Sequence, residues 1–305
     1  MTLAQLQAFV TVTETGSFTT ASEILGMTQS AVSHAIAGLE TELGVTLLRR
    51  ERAGLSLTDV GQRIILNARE ILAQAESIRQ EAATARGLEA GKLRLGSISS
   101  VSARFLPGAL RLFRQRYPKI EIVLLEGSDQ EVRAWIEARI VDVGVVTLPT
   151  QGVVVTPIAH DEYFAVVPPT HPLANASSVP LELLTQEPFI LSGGGCGLLI
   201  KDLFYKAKVV PRIQLEVRET GSVLAMVQEG MGISIVPEMA LPPQLPSGIK
   251  TLHLQPAAWR HVALAVLSRE TISPATKMFL QHAEQWGFSQ GLLPGGDETS
   301  HEKAP

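Results

Sequence analysis

Residues Phe18 to Arg52 constrain this chain more than any other stretch. Ala21, Ile24 and Leu25 form one apolar stripe, and Ala31, Val32, Ile36, Leu39 and Leu43 form a second at helical spacing. Gly26 lies between them, where a tight turn takes a residue without a Cβ. Two short helices crossing at such a turn make a helix-turn-helix, whose second helix fits the major groove of duplex DNA. The start of that second helix carries Thr28, Gln29, Ser30, Ser33 and His34, where a helix held only for packing would carry Glu and Lys. These short uncharged groups reach phosphates and base edges, and Gln can pair with adenine at two atoms. The helix-turn-helix is assigned to Phe18 to Ala37, and the helix as a whole to Thr28 through Leu43, stopping at Gly44. A hairpin follows from Leu47 to Leu57 with Gly54 at its turn, and it carries Arg50 and Arg52, placed to meet the backbone or the minor groove.

Charge sets a limit on this reading. Residues 1 to 58 hold Arg49, Arg50 and Arg52 against Glu14, Glu23, Glu40, Glu42 and Glu51, so three minus five gives −2. DNA-binding domains are usually basic. Here the cations are gathered in four consecutive positions of the hairpin, which predicts weak non-specific affinity and a need for two domains acting together.

The runs Ala21-Ser22-Glu23-Ile24-Leu25 and Thr28-Gln29-Ser30-Ala31-Val32-Ser33 are followed by Leu39-Glu40, Leu43-Gly44, Leu47, Arg50, Leu57-Thr58 and Gly61. Together they resemble the LysR-type transcriptional regulators. Leu48 departs from that pattern, standing where the family usually has Phe, a core exchange of small cost. The resemblance implies a DNA-binding regulator of transcription, not an enzyme, that works as a homodimer assembled further into a homotetramer. RNA polymerase is a candidate partner of such a regulator.

The first helix is amphipathic through Leu3, Leu6, Phe9, Val10 and Val12 and ends near Gly16, with Ser17 placed to cap the next. After the hairpin, Thr58-Asp59 caps a long helix from about Val60 to Leu88. Ile64, Ile71 and Ile78 recur in it every seven residues, and Ala68, Ala75 and Ala82 share the seam. Such a repeat predicts a helix that pairs with its copy and sets the distance between two DNA-reading domains. The expected organisation is a winged helix-turn-helix at 1–58, a linker and dimerisation helix at 59–90 and an effector domain at 91–287. A disordered tail, rich in Gly, Pro, Ser and charge, is expected at 288–305.

From Lys92 onward strands and helices alternate: Lys92 to Ile98, Ala103 to Tyr117, Ile120 to Glu126, Gln130 to Ala138 and Val141 to Val146 form a βαβαβ series. Strands at Val153 to Ala159 and Glu162 to Val167 follow, and a second α/β set begins near Leu181. Two sets joined by two crossings, near His160 and near Leu267, give a bilobal domain of the type-two periplasmic-binding-protein kind. The family resemblance, carried here by Lys92-Leu93-Arg94-Leu95-Gly96, Asp142-Val143-Gly144 and His171-Pro172-Leu173, implies the same. The expected fold class is therefore α/β with an N-terminal all-α winged helix-turn-helix, a long linker helix and this bilobal effector domain. Lobe I takes about 91–160 and 268–287, and lobe II about 161–267.

In open α/β sheets a ligand sits beyond the carboxyl ends of the strands. Those ends place Ser99, Ser100, Val101, Ser128, Thr147, Gly195, Cys196 and Thr220 as effector-binding residues. Hydroxyls, glycines and helix starts predict a small carboxylate or phosphate-bearing effector. Cys196, the chain's one cysteine, stands after three glycines where a helix should begin, a setting that lowers a thiol pKa and exposes it. That position resembles the peroxide-sensing cysteine of the family's oxidant-responsive branch, so thiol-based redox control through Cys196 is the alternative function. A resolving cysteine is absent, since Tyr205 and its neighbours are not cysteine.

A single cysteine also excludes a disulfide framework within the chain and suits a reducing cytoplasm. The start at Met1-Thr2-Leu3 has neither a basic segment nor an apolar run, so neither a signal peptide nor a membrane span is expected. The histidines are scattered, and dinucleotide, phosphate-loop and Gly-x-Ser-x-Gly motifs are missing. No cofactor, no metal and no catalysis are expected. A solute receptor or enzyme fused to a helix-turn-helix is the remaining alternative.

Overall fold

The computed structural model describes residues 1–51, 54–194 and 196–293, with Arg50 and Glu51 described by backbone alone. These residues form two compact units, the first made of Met1–Gly91 with Ala138–Ile140 and Thr271–Pro274, the second of the remainder.

In the first unit, α1 (Leu3–Thr15), α2 (Phe18–Leu25) and α3 (Gln29–Leu43) each begin at a hydroxyl cap and end at a left-handed glycine. Thr2 and Gln5 form a reciprocal capping box, and Ser17 caps α2. Gly16, Gly26 and Gly44 close the three helices with φ near +65°, a conformation a Cβ would oppose. Leu6, Phe9, Val32, Ile36, Leu39 and Leu47 make the core. Ile24 and Leu43, expected in the apolar stripes, are instead 65% and 37% exposed. On α2 the core lies on the side of Phe18, Ser22 and Leu25, and Ile24 projects about 120° away from it, by the 100° step of a helix. Leu43 is the last residue of its helix and overhangs the core.

The hairpin strands β1 (Leu48–Glu51) and β2 (Gly54–Leu57) pair antiparallel, Leu48 opposite Leu57. Next comes α4 (Asp59–Ala85), capped by Thr58, whose hydroxyl accepts from the Gly61 amide at 2.9 Å. A Cβ on Gly61 would stand 2.3 Å from the carbonyl oxygen of Leu47, so this glycine lets the helix start against the hairpin's root. Gly61→Ala is expected to cost about 1–3 kcal/mol, the range of overpacked sites, because the clash is with backbone that cannot swing aside. Urea unfolding of the variant checks this. Along α4, Ile71 and Ile78 are 38% and 69% exposed.

The second unit opens with β3 (Ala90–Ser97), α5 (Ser99–Arg104), α6 (Leu106–Arg116), β4 (Lys119–Glu126), α7 (Asp129–Glu137) and β5 (Val143–Leu148). The helix expected over 103–117 is thus two, broken at Phe105, with Pro107 tolerated in the first turn of α6. Next, β6 (Val154–Val167) is one continuous strand of 14 residues where two were expected. It is followed by β7 (Ser178–Pro180), α8 (Leu181–Leu184), β8 (Pro188–Ser192), α9 (Gly197–Lys206), β9 (Arg212–Val217), α10 (Thr220–Gln228), β10 (Ser234–Pro237), β11 (Lys250–Gln255), β12 (Trp259–Val266) and α11 (Pro274–Ser289).

The sheet runs β4-β3-β5-β12-β6-β11-β7, with β10 also on β6, while β8 and β9 pair in parallel beside it. One lobe gathers around β4, β3, β5 and β12, and the other around β10, β11, β8 and β9. The first half of β6 pairs with β12 and its second half with β10 and β11, so the strand itself carries the chain across. The return crossing falls at residues 256–258, not near Leu267. His261, expected in the second lobe, pairs as part of β12 with Leu148 of β5 in the first. The apolar run of β12 (Val262, Ala263, Leu264, Ala265 and Val266) is buried throughout, as a central strand requires.

Residues 288–293 also depart from expectation. Gly287 packs directly on the Ile158 carbonyl, and the His160 amide donates to the carbonyl of Leu292 at 2.8 Å, so backbone pairing fixes this stretch. Residues 294–305 lie outside the described residues.

Candidate functional site

Two surfaces stand out, one in each unit. On α3, Val32, Ile36 and Leu39 face the core, which turns Gln29, Ser30 and His34 to solvent and leaves Ser33 half-buried beside them. Thr28 is the N-cap: its hydroxyl accepts from the Ala31 amide at 3.2 Å and lies 3.0 Å from the Ser30 hydroxyl. No acidic residue occupies the first turn, so the positive end of a 15-residue helix is unopposed by a side-chain charge of its own.

Several glutamates that make this unit acidic on paper are engaged elsewhere. Glu40 Oε1 accepts from the amides of Leu47 at 2.6 Å and Leu48 at 3.2 Å, fastening α3 to the hairpin. Glu42 pairs with the amino terminus of Met1, and Glu14 with Arg69 at 3.4 Å. The electrostatic objection drawn from net charge is therefore weaker at the tip of α3 than the count implied. Arg52 lies outside the described residues, and for Arg50 only the strand position in β1 is described.

Between the lobes of the second unit lies a cavity of about 190 Å³. Ile98, Ser99, Ser100 and Ala103 line it from one lobe, Ser192, Gly194, Cys196 and the run Arg218 to Gly221 from the other, and Arg260 from the crossing. Among the expected effector residues, Ser99, Ser100, Cys196 and Thr220 meet here. Val101 does not: the turn of α5 sends it fully into the core. Ser128 donates its amide and its hydroxyl to Glu131, both at 2.7 Å, and is consumed in capping α7. Thr147 is buried, and its amide donates to Asp129 at 2.7 Å, so it braces α7 without lining the cavity. Burial raises the carboxyl pKa of Asp129, and that amide bond opposes the rise. Gly195 lies outside the described residues.

Arg260 is the residue that sequence reasoning missed. It is 2% exposed, its Nε and Nη2 hold Asp161 at 3.1 and 2.6 Å, and its Nη1 lies 3.5 Å from Cys196 Sγ. Asp161 Oδ2 also accepts the Met239 amide at 3.1 Å. A lone arginine inside the run Trp259–Val266 was the available signal, since a cation in a buried strand must have a partner. Cys196 overturns its expectation. It is 9% exposed, and burial pushes the thiol pKa up, with Arg260 offsetting only part of that. The helix start does not activate this thiol, because the burial of its sulfur outweighs it. Among the described residues no group of His, Cys, Asp and Glu is placed to hold a metal ion, and no helix is long and apolar enough to cross a membrane.

Known proteins share both parts. Residues 3–62 match the family of bacterial regulatory helix-turn-helix proteins of lysR type, and residues 86–287 match the LysR substrate binding domain. An uncharacterized HTH-type transcriptional regulator of Bacillus subtilis, YvbU, is 40% identical over 93% of this chain and 98% of its own. A full-length OxyR variant from Pseudomonas aeruginosa superposes with a TM-score of 0.77 at 25% identity, over 94% of each chain. Full-length CbnR in complex with its target DNA gives 0.64 at 25% identity, over 94% of this chain and 100% of that one.

Proposed function

The chain belongs to the LysR family of DNA-binding transcriptional regulators, which are not enzymes, and from that premise we propose how its residues divide the work. Gln29, Ser30, Ser33 and His34 read base edges in the major groove, Thr28 holds their backbone in position, and Arg50 and Arg52 meet the phosphates or the minor groove. The observation that carries this is the exposed, uncharged, acid-free first turn of α3 standing on an apolar core. The exposed Ile71 and Ile78 of α4 support a homodimer through that helix, with a seam covered by a second copy. Pairing of the second units then makes a homotetramer in the cytoplasm, in contact with RNA polymerase at the promoter.

The effector is a small anion seated in the cavity between the lobes. Its size follows from a volume below the usual range for ligand sites, and its charge from the helix start at Thr220 in the lining, since Arg218 and Arg260 are already paired with Glu131 and Asp161. Binding acts by favouring one packing of the dimers over another, which requires different affinities for the two. A gel shift with the duplex upstream of the chain's own gene tests the first half. Specific binding that weakens steeply between 50 and 200 mM salt is expected, by roughly tenfold or more where several phosphates are contacted. Absence of binding with every upstream fragment would refute the assignment.

A further inference from the structure

We propose that the ion pair between Glu131 and Arg218 is a latch that holds the two lobes together over the cavity. Glu131 stands on α7 in one lobe, and Arg218 directly follows β9 in the other. Arg218 Nη2 donates to both carboxylate oxygens, at 2.9 and 3.2 Å. The carboxylate is held ready for it, because the Ser128 amide and hydroxyl both donate to Oε2. Those Ser128 bonds and the Arg218 bond hold the Glu131 pKa down at about 2, so the pair stays charged across the physiological range.

The latch also touches the cavity. Arg218 lines it, and a Cβ on Gly194 would stand 2.1 Å from the Arg218 carbonyl oxygen. The loop before α9 and the residue of the latch are thus packed backbone against backbone, so they move as one. The lobes are joined covalently through β6 and the approach to β12, so their mutual angle is also set by side-chain contacts between them. A link away from those crossings has leverage on that angle. Both side chains are substantially exposed, 64% for Arg218 and 44% for Glu131, so the pair biases the angle by a few-fold and does not lock it.

Cys196 supplies the test, because it is the chain's only cysteine and lies buried in the same cavity. Alkylation of the full-length protein by iodoacetamide at fixed pH therefore reads how often the cleft opens. Glu131→Gln keeps the hydrogen bonds that cap α7 and loses the charge. That variant and Arg218→Met are each expected to raise the rate roughly two- to fivefold, the effect of losing one exposed ion pair. Arg218→Lys should stay near the unmodified protein. The Glu131→Gln, Arg218→Met double variant should react no faster than either single, since both break one link. Added salt should speed the unmodified protein toward the variants and leave Glu131→Gln unmoved. Unchanged rates in both single variants would overturn the latch. So would a double variant whose increase is the product of the two, or faster alkylation matched by a lowered melting temperature, which marks general loosening. The readout needs neither DNA nor effector, so its failure is distinct from a failure of the proposed regulatory role.

Discussion

Replacing Gln29 and Ser33 together with alanine is expected to abolish sequence-specific DNA binding and leave the fold intact. Gln29 is the first residue of α3 and fully outside the core, and Ser33 lies one turn further along the same side. A good two-atom contact to a base discriminates by about 1–3 kcal/mol, and a serine contact adds a smaller amount. Summed over two helices in a dimer, the loss reaches roughly a thousandfold in specific affinity. Stability should hold, because alanine is a better helix former than serine or glutamine and neither side chain fills the core. The salt dependence of the residual, non-specific binding should also hold, since the phosphate contacts come from other groups. A gel shift with specific and scrambled duplexes, paired with a thermal melt, measures both. Undiminished discrimination between the duplexes would move the reading surface off this face of α3.

The second large effect is expected at the crossing between the lobes. Arg260→Leu strands Asp161, which is 2% exposed and would keep only its bond from the Met239 amide. Breaking a buried ion pair by removing one partner costs about 3–5 kcal/mol. For a unit of this size that lowers the melting temperature by roughly 6–20 °C. The Asp161→Asn, Arg260→Leu pair should recover much of the loss. Asparagine keeps an acceptor for the Met239 amide, and no uncompensated charge remains buried. A single variant as stable as the unmodified protein would mean that water reaches Asp161, and the cavity floor would have to be redrawn.

How far a residue's place was legible depended on which neighbours decide it. Ser17 and Thr58 were legible as caps because a cap bonds to amides two or three residues away, while Thr28, read as a residue of the polar face, caps α3. The turn at Gly26 and the stops at Gly16 and Gly44 were legible for the same reason. Ser99, Ser100, Cys196 and Thr220 were placed correctly at the cavity, because strand ends in an α/β domain share one edge. Val101, from the same stretch, was not. Its direction depends on how α5 is rotated, and that is fixed by packing. Ser128 is taken up in capping α7 by Glu131, three positions on in a capping-box spacing, whereas Thr147 is tied to Asp129 across 18 positions, which no local pattern reveals.

The return of β12 to the first lobe escaped for a related reason. A buried central strand and a buried edge strand read alike as apolar runs, and only pairing with β5 separates them. The chain's periodicities and short-range chemistry thus determined the helix-turn-helix, its polar face, the long α4 and the α/β character of the rest. Tertiary structure alone decided the burial of Cys196, the pairing of Arg260 with Asp161 across 99 positions and the link from Glu131 to Arg218 across 87. Desolvation and long-range ion pairing depend on which distant segments exclude water from a group, and that information exists only once the chain has closed on itself.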